Sequence, residues 1–202
     1  ASMPGLHVSF GDYIQQHLQM TREESDALRR RYWLRYGATL LGLVKHHGVD
    51  AAHFLRHTHL LPGLEAAVRG HAHDFAALKA LPGRKFILTN APRAYAERVL
   101  AVLGIRRCFE ALISIEDMHV FGQLRPKPDA RMLRTLLAQL RVPASRCVLV
   151  EDTLQHQKAA RRVGMKTVWM QRWTRAAAKP GVRHSMQPRY VDLKARQLRT
   201  LL

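Results

Sequence analysis

The sequence predicts an α/β protein, a parallel sheet covered by helices and preceded by an all-helical block. Two observations predict it. From residue 84 onward, short apolar runs alternate with helical patterns at a spacing that suits strand–helix–strand crossovers. Before residue 84 the apolar periodicity is helical throughout and no convincing strand occurs. A third observation locates the chemistry: Cys147-Val148-Leu149-Val150 runs straight into Glu151-Asp152, and a helical pattern follows. Buried strands that end in acids at their C-terminal tips are how open α/β folds build cation and phosphate sites.

In the helical block, Thr21-Arg22-Glu23-Glu24 is a capping box that opens a helix towards Tyr36, with Gly37 as its stop. Thr39 to His47 is a short apolar helix stopped by Gly48. Asp50 caps a third helix, Ala51 to His59, and Leu61-Pro62-Gly63 breaks the chain before Leu64 to Val68. In the second block, Lys85 to Leu88, Ala111 to Ser114, Cys147 to Val150 and Lys166 to Met170 read as strands. Ala94 to Leu103, Ala130 to Leu140 and Gln155 to Val163 read as helices, with Gly104 and Gly164 as stops after the first and third. Tyr190-Val191 is a candidate last strand. The expected organisation is a helical cap over residues 1–80 and a Rossmann-like core over 81–202, with site residues at the strand tips.

Composition narrows the function. The 202 residues are 47% apolar, enough for a sizeable core. No run of 18 or more apolar residues implies a membrane helix, and the first residues lack the basic and apolar regions of a signal peptide. The two cysteines, Cys108 and Cys147, form no CxxC pair, and a reduced, cytoplasmic protein is expected. The net charge of +18 raises nucleic acid as a partner. The excess is dispersed, however, and no aromatic-interleaved RNA-binding signature or zinc-finger spacing accompanies it. It is densest from Arg172 to Arg199, eight basic residues against Asp192 alone. Nucleic acid is therefore not expected as the main partner; a basic surface also suits anionic phosphate substrates. Among the 12 histidines, His46, His47, His53, His57 and His59 cluster. His53 and His57 lie four apart on a helix, but no acid or cysteine joins them at ligand spacing, so a solvated cap surface is expected.

Three segments carry candidate chemistry. Thr89-Asn90, after Ile87-Leu88, places a hydroxyl and an amide before a helix N-terminus, where a phosphate oxygen can be held or the helix merely capped. In Arg125-Pro126-Lys127-Pro128-Asp129 the lysine sits between two prolines, so it is either pre-positioned or part of a surface turn. Glu151-Asp152 repel each other and call for a cation or a basic partner. The bland alternative is that Asp152 or Thr153 caps the following helix.

In this order and spacing, Thr89 with Asn90, Lys127, and Glu151 with Asp152 resemble the second, third and fourth motifs of the haloacid dehalogenase (HAD) superfamily of phosphohydrolases. The resemblance runs from about residue 9 to the end. It implies a Mg²⁺-dependent phosphomonoesterase working through an aspartyl-phosphate. It also implies catalytic roles for Lys127, Thr89 and Asn90, Asp152 as a direct Mg²⁺ ligand, and Glu151 as a ligand or its partner. The segment Arg31 to Leu43 and the stretch Val150 to Ala160 are similar to the pyrimidine 5′-nucleotidase-like branch. That likeness implies a nucleoside 5′-monophosphate substrate, bound by Tyr32, Tyr36 and Arg93, unless the aromatics simply pack the cap. A sugar phosphate or phosphoglycolate is the alternative substrate, and a non-catalytic binding protein using its basic surface is the alternative of another class. The family's first motif, a strand followed by Asp-x-Asp, is absent: the only acids two apart are Glu24 and Asp26, inside a helix. The chain also does not start with Met. A sequence truncated just after that motif is the expectation, with the first core strand missing and no turnover by the chain as written. Oligomeric state is left open.

Overall fold

Local sequence signals set most element ends. In the computed structural model, which describes residues 4–172 and 187–202 (4–9 by backbone alone), the elements follow in this order. Helices α1 (Pro4–Leu18), α2 (Arg22–Tyr36), α3 (Thr39–His47), α4 (Ala51–His59), α5 (Leu64–Ala67) and α6 (Ala72–Ala80) come first. They lead to β1 (Phe86–Leu88), α7 (Arg93–Leu103), β2 (Ala111–Ile113), β3 (His119–Val120) and β4 (Gln123–Leu124). The last are α8 (Ala130–Leu140), β5 (Val148–Glu151), α9 (Leu154–Arg162), β6 (Lys166–Met170) and β7 (Leu193–Ala195).

The capping box at Thr21 and Glu24 is formed in both directions, and Gly37, Gly48 and Gly104 end their helices with left-handed backbone. Asp50 accepts from His53 N–H at 2.6 Å, capping α4.

Contacts divide the chain into two compact units. Ser2–Arg69 with Lys85–Pro126 forms one; Gly70–Arg84 with Lys127–Leu202 forms the other. In the first, Tyr13, Ile14, Leu28, Tyr32, Leu43, Phe54 and Ile115 are buried together between α1, α2, α3, α4 and the turn after β2. Fully burying each large side chain contributes about 1.5–3 kcal/mol, which outweighs helix propensity as the source of order here. The same unit holds the parallel pair β1–β2, with Ile87 opposite Leu112 and Ala96 and Leu100 of α7 packed on it. In the second unit β5, β6 and β7 form a parallel sheet in that order, with Leu149 opposite Thr167 and Trp169 opposite Lys194. α9 packs on β5 and β6, burying Ala159 and Ala160.

The parallel α/β class expected from the sequence is therefore present. Four local expectations change. The last strand is Leu193–Ala195, not Tyr190-Val191: Asp192 N–H bonds Thr167 O at 3.1 Å and its carboxylate takes Thr167 N–H at 2.8 Å, so the ladder starts beyond it. β5 is not buried on both faces: Leu149 is buried, but Val148 and Val150 are 51% and 41% exposed. Among the described residues β5 pairs with β6 on one edge only, and β1 with β2 only. The antiparallel hairpin β3–β4, turning at Phe121-Gly122 with φ of 50° and 73°, had no Asn-Gly signal to announce it. The histidine cluster is not a merely solvated surface. His59 is buried, while His46, His47 and His53 bond the hydroxyls of Tyr36, Tyr32 and Tyr13 at 2.5, 2.7 and 2.8 Å. Part of the basic stretch from Arg172 to Arg199 lies outside the described residues.

Candidate functional site

The second unit carries a buried ion-pair site at the tip of β5. Lys127 Nζ lies 2.6 Å from Glu151 Oε2, with about a tenth of each side chain exposed. Glu151 Oε1 accepts from the N–H groups of Asp152 and Thr153 at 3.0 and 3.1 Å. His156 Nδ1 stands 3.1 Å from Oε2, without hydrogen-bond alignment. Burial alone pushes the Glu151 carboxyl up. The contacts with His156, Lys127 and Asp152 more than offset that and hold it well below the usual carboxylate range.

The backbone that presents Asp152 is fixed from behind. The buried Gln157 amide donates to Glu151 O at 2.7 Å and to Val168 O at 2.6 Å, joining helix α9 to two strands. Trp169 Nε1 donates to Asp152 O at 3.0 Å. Thr153 stands at the N-cap position, yet its hydroxyl donates to Asp152 Oδ1 at 3.2 Å and makes no cap bond. Thr153 therefore does not cap the helix through its side chain; the Glu151 carboxylate takes the N–H groups of Asp152 and Thr153 in the turn before it. Asp152 and Glu151 line an open cleft of about 380 Å³ within this unit, together with Asp74, Met170, Arg172 and Arg196.

Among the described residues no group of three or more His, Cys, Asp or Glu is arranged to hold a metal. Glu151 is saturated by Lys127 and two N–H groups. The carboxylates of Asp152 and Glu151 are hard oxygen donors, the chemical type that Mg²⁺ takes.

The other unit holds the remaining candidates. Thr89 follows β1; its N–H bonds Ile113 O at 2.9 Å, and its hydroxyl accepts from Ala91 N–H at 3.1 Å. Asn90 stands beside it, half-buried. At the start of α7 the Arg93 N–H donates to both carboxylate oxygens of Glu116 at 3.1 Å, and its guanidinium bonds Asp117 at 2.5 Å. An internal carboxylate thus holds the helix N-terminus expected to face a phosphate. Tyr32 is buried, and its ring lies so close to Gly42 that a Cβ there would stand 2.1 Å from its Cγ. Tyr36 is half-buried, with its hydroxyl on His46.

The structure thus brings Lys127, Glu151 and Asp152 to one place. Sequence reasoning missed His156, Gln157 and Trp169. The first two were within reach, since the first turn of a helix starting at Leu154 turns both back towards the strand tip. Trp169 pairs through the register of β6, which no local signal gives.

Comparison with known proteins gives the family and the fold. A family model described as haloacid dehalogenase-like hydrolase matches residues 9–164, and the chain belongs to that family of hydrolases. A phosphoglycolate phosphatase encoded on a plasmid of Cupriavidus necator is 33% identical over 106 residues, 52% of this chain and 41% of that protein. The chain thus spans well under half the length of that relative. Two solved structures share the fold. CbbY from Rhodobacter sphaeroides in complex with phosphate has a TM-score of 0.62 at 20% identity, over 97% of this chain and 88% of that one. The putative HAD-hydrolase YfnB from Bacillus subtilis, bound to magnesium, has a TM-score of 0.56 at 19% identity, over 100% and 82%. No helix among the described residues is long and apolar enough to cross a membrane.

Proposed function

We propose that this chain serves phosphomonoester hydrolysis of the haloacid dehalogenase type, with Mg²⁺ as its metal. The observation that carries the reading is the buried Lys127–Glu151 pair beside Asp152 at a strand tip that opens on a cleft. In this reading Asp152 is the Mg²⁺ ligand. Glu151 holds Lys127 in place, and Lys127 faces the phosphate oxygens with its ammonium. Mg²⁺, when bound, offsets the negative charge of the phosphate. Thr89 and Asn90 serve as phosphate donors, and Arg93 is a substrate contact that first has to leave Asp117. The functional division is a cap to residue 80 and a core from 81.

For the substrate we favour a small phosphate ester, phosphoglycolate or a sugar phosphate. The relative named phosphoglycolate phosphatase supports this choice, as does the burial of Tyr32, which leaves no open ring face for a base. A nucleoside 5′-monophosphate is the second reading, supported by the half-buried Tyr36 and by Trp33, which is 43% exposed.

The test is binding and phosphate release measured together on phosphoglycolate, sugar phosphates and nucleoside monophosphates, with and without Mg²⁺. The chain holds no Asp-x-Asp pair. The reading therefore expects Mg²⁺-dependent binding, weakened by Asp152→Asn, and no phosphate release from these 202 residues alone. Absence of Mg²⁺-dependent binding would sink it. Release would show that another residue serves as nucleophile.

A further inference from the structure

The tips of three neighbouring parallel strands in the unit of Gly70–Arg84 and Lys127–Leu202 carry charges in a defined order. β5 ends in Glu151 and is followed by Asp152; β6 runs on to Arg172; β7 is followed directly by Arg196. All four residues line the same cleft. Most of this charge is matched internally. Lys127 offsets Glu151. Arg172 pairs with Asp74 and bonds His73 Nε2 at 2.9 Å. Asp74 in turn accepts from Leu198 N–H at 3.1 Å, so this wall of the cleft is held in one geometry.

Arg196 differs. It is exposed at the cleft and makes no hydrogen bond or ion pair among the described residues. Residues 1–9 and 173–186 contain no acid, so no carboxylate partner for it lies in those segments. An uncommitted guanidinium is a planar fork of donors matched to a carboxylate or phosphate. Here it shares a cleft with the carboxylate assigned to the metal, two strands away. Neighbouring strands lie about 4.8 Å apart, which sets the β5 and β7 tips roughly 10 Å from each other. That distance leaves room for a substrate with one anionic group at the Asp152 end and another at the Arg196 end.

We infer that Arg196, on the wall fixed by Arg172 and Asp74, binds a second anionic group of the substrate, a carboxylate or a second phosphoryl group. The inference rests on the phosphate-ester reading above and deepens it: the substrate is a phosphate monoester with a remote negative charge.

The experiment is a calorimetric titration of the chain with Mg²⁺, using two matched pairs of probes. 2-Phosphoglycolate against ethyl phosphate tests a carboxylate; fructose 1,6-bisphosphate against fructose 6-phosphate tests a second phosphoryl group. The expected result is roughly tenfold tighter binding of the doubly anionic member of one pair. In R196Q the gap closes to within about twofold, and R196K, which keeps the charge but loses the fork, retains part of it. The pair that shows the gap names the group. Arg196 is exposed, and equal melting of R196Q and the parent checks that its replacement leaves the fold intact. Binding of the monoesters with no gap in either pair, or a gap unchanged in R196Q, overturns this inference and leaves the phosphate-ester reading standing. Failure of every probe to bind the parent chain with Mg²⁺ overturns that reading and this inference with it.

Discussion

Lys127 Nζ meets Glu151 Oε2 at 2.6 Å across 24 residues of sequence, with about nine-tenths of each side chain buried. Taking both charges out of water is expensive, and their attraction repays the cost only because other donors complete the site. The N–H groups of Asp152 and Thr153 do so on the other carboxylate oxygen.

Breaking this pair from one side leaves a buried carboxylate without its cation. Lys127→Met is expected to destabilise the fold by about 3–5 kcal/mol, read by urea denaturation. Adding Glu151→Gln to Lys127→Met is expected to recover part of that loss, because no buried charge is then left alone. Additive single effects would count against the pairing.

The carboxyl of Glu151 is held low in the folded state, so the unfolded chain binds its proton first as pH falls. Its contribution to stability is present above the ordinary carboxylate value of about 4.3 and is lost as pH drops below it. His59 acts in a window closer to neutral. Burial lowers it to about 4, despite its Nδ1 hydrogen bond to Leu55 O at 3.1 Å. The folded state therefore resists protonation between about pH 6.5 and 4, and stability falls as pH drops through that window, by up to roughly 3 kcal/mol. Urea midpoints at pH 7 and pH 4.5 check this, and His59→Phe should flatten the difference.

Gly42 sits under the ring of Tyr32, where a Cβ would stand 2.1 Å from Cγ. Gly42→Ala is accordingly expected to cost about 1–3 kcal/mol, although alanine favours helix more than glycine does. A stabilised variant in thermal melts would show that the ring moves aside freely.

Val148 and Val150 stand 51% and 41% exposed on a strand that, among the described residues, is paired on one edge. Such a strand is a template for pairing with another chain. Concentration-dependent association is expected in light scattering, with a broad thermal transition. Val148→Lys is expected to reduce the association. A chain that stays monomeric and melts sharply would contradict this.

The helix ends were legible because their signals are local. Thr21 with Glu24, Asp50, Gly37, Gly48 and Gly104 all act within one turn of themselves. The strands were legible as apolar runs, and the tip acids stood out because two adjacent carboxylates repel each other and call for a cation or a basic partner. The exposure of β5 was not legible: apolar content says that a strand can be buried, while only its neighbours decide whether it is. Arg93 is a similar case. The family likeness suggested it as a substrate contact, but Glu116 and Asp117, 23 and 24 residues away, already hold it.

By itself the sequence determined the α/β class, most of its main helices and strands, and Lys127, Glu151 and Asp152 as candidate chemistry, since periodicity, caps and motif order are written in near neighbours. Tertiary structure alone decided that Lys127 and His156 converge on one oxygen of Glu151, that Gln157 and Trp169 fix the turn presenting Asp152, and that Arg196 shares its cleft. The physical reason is that strand register and helix packing bring together groups up to 124 positions apart, and no local rule encodes those distances.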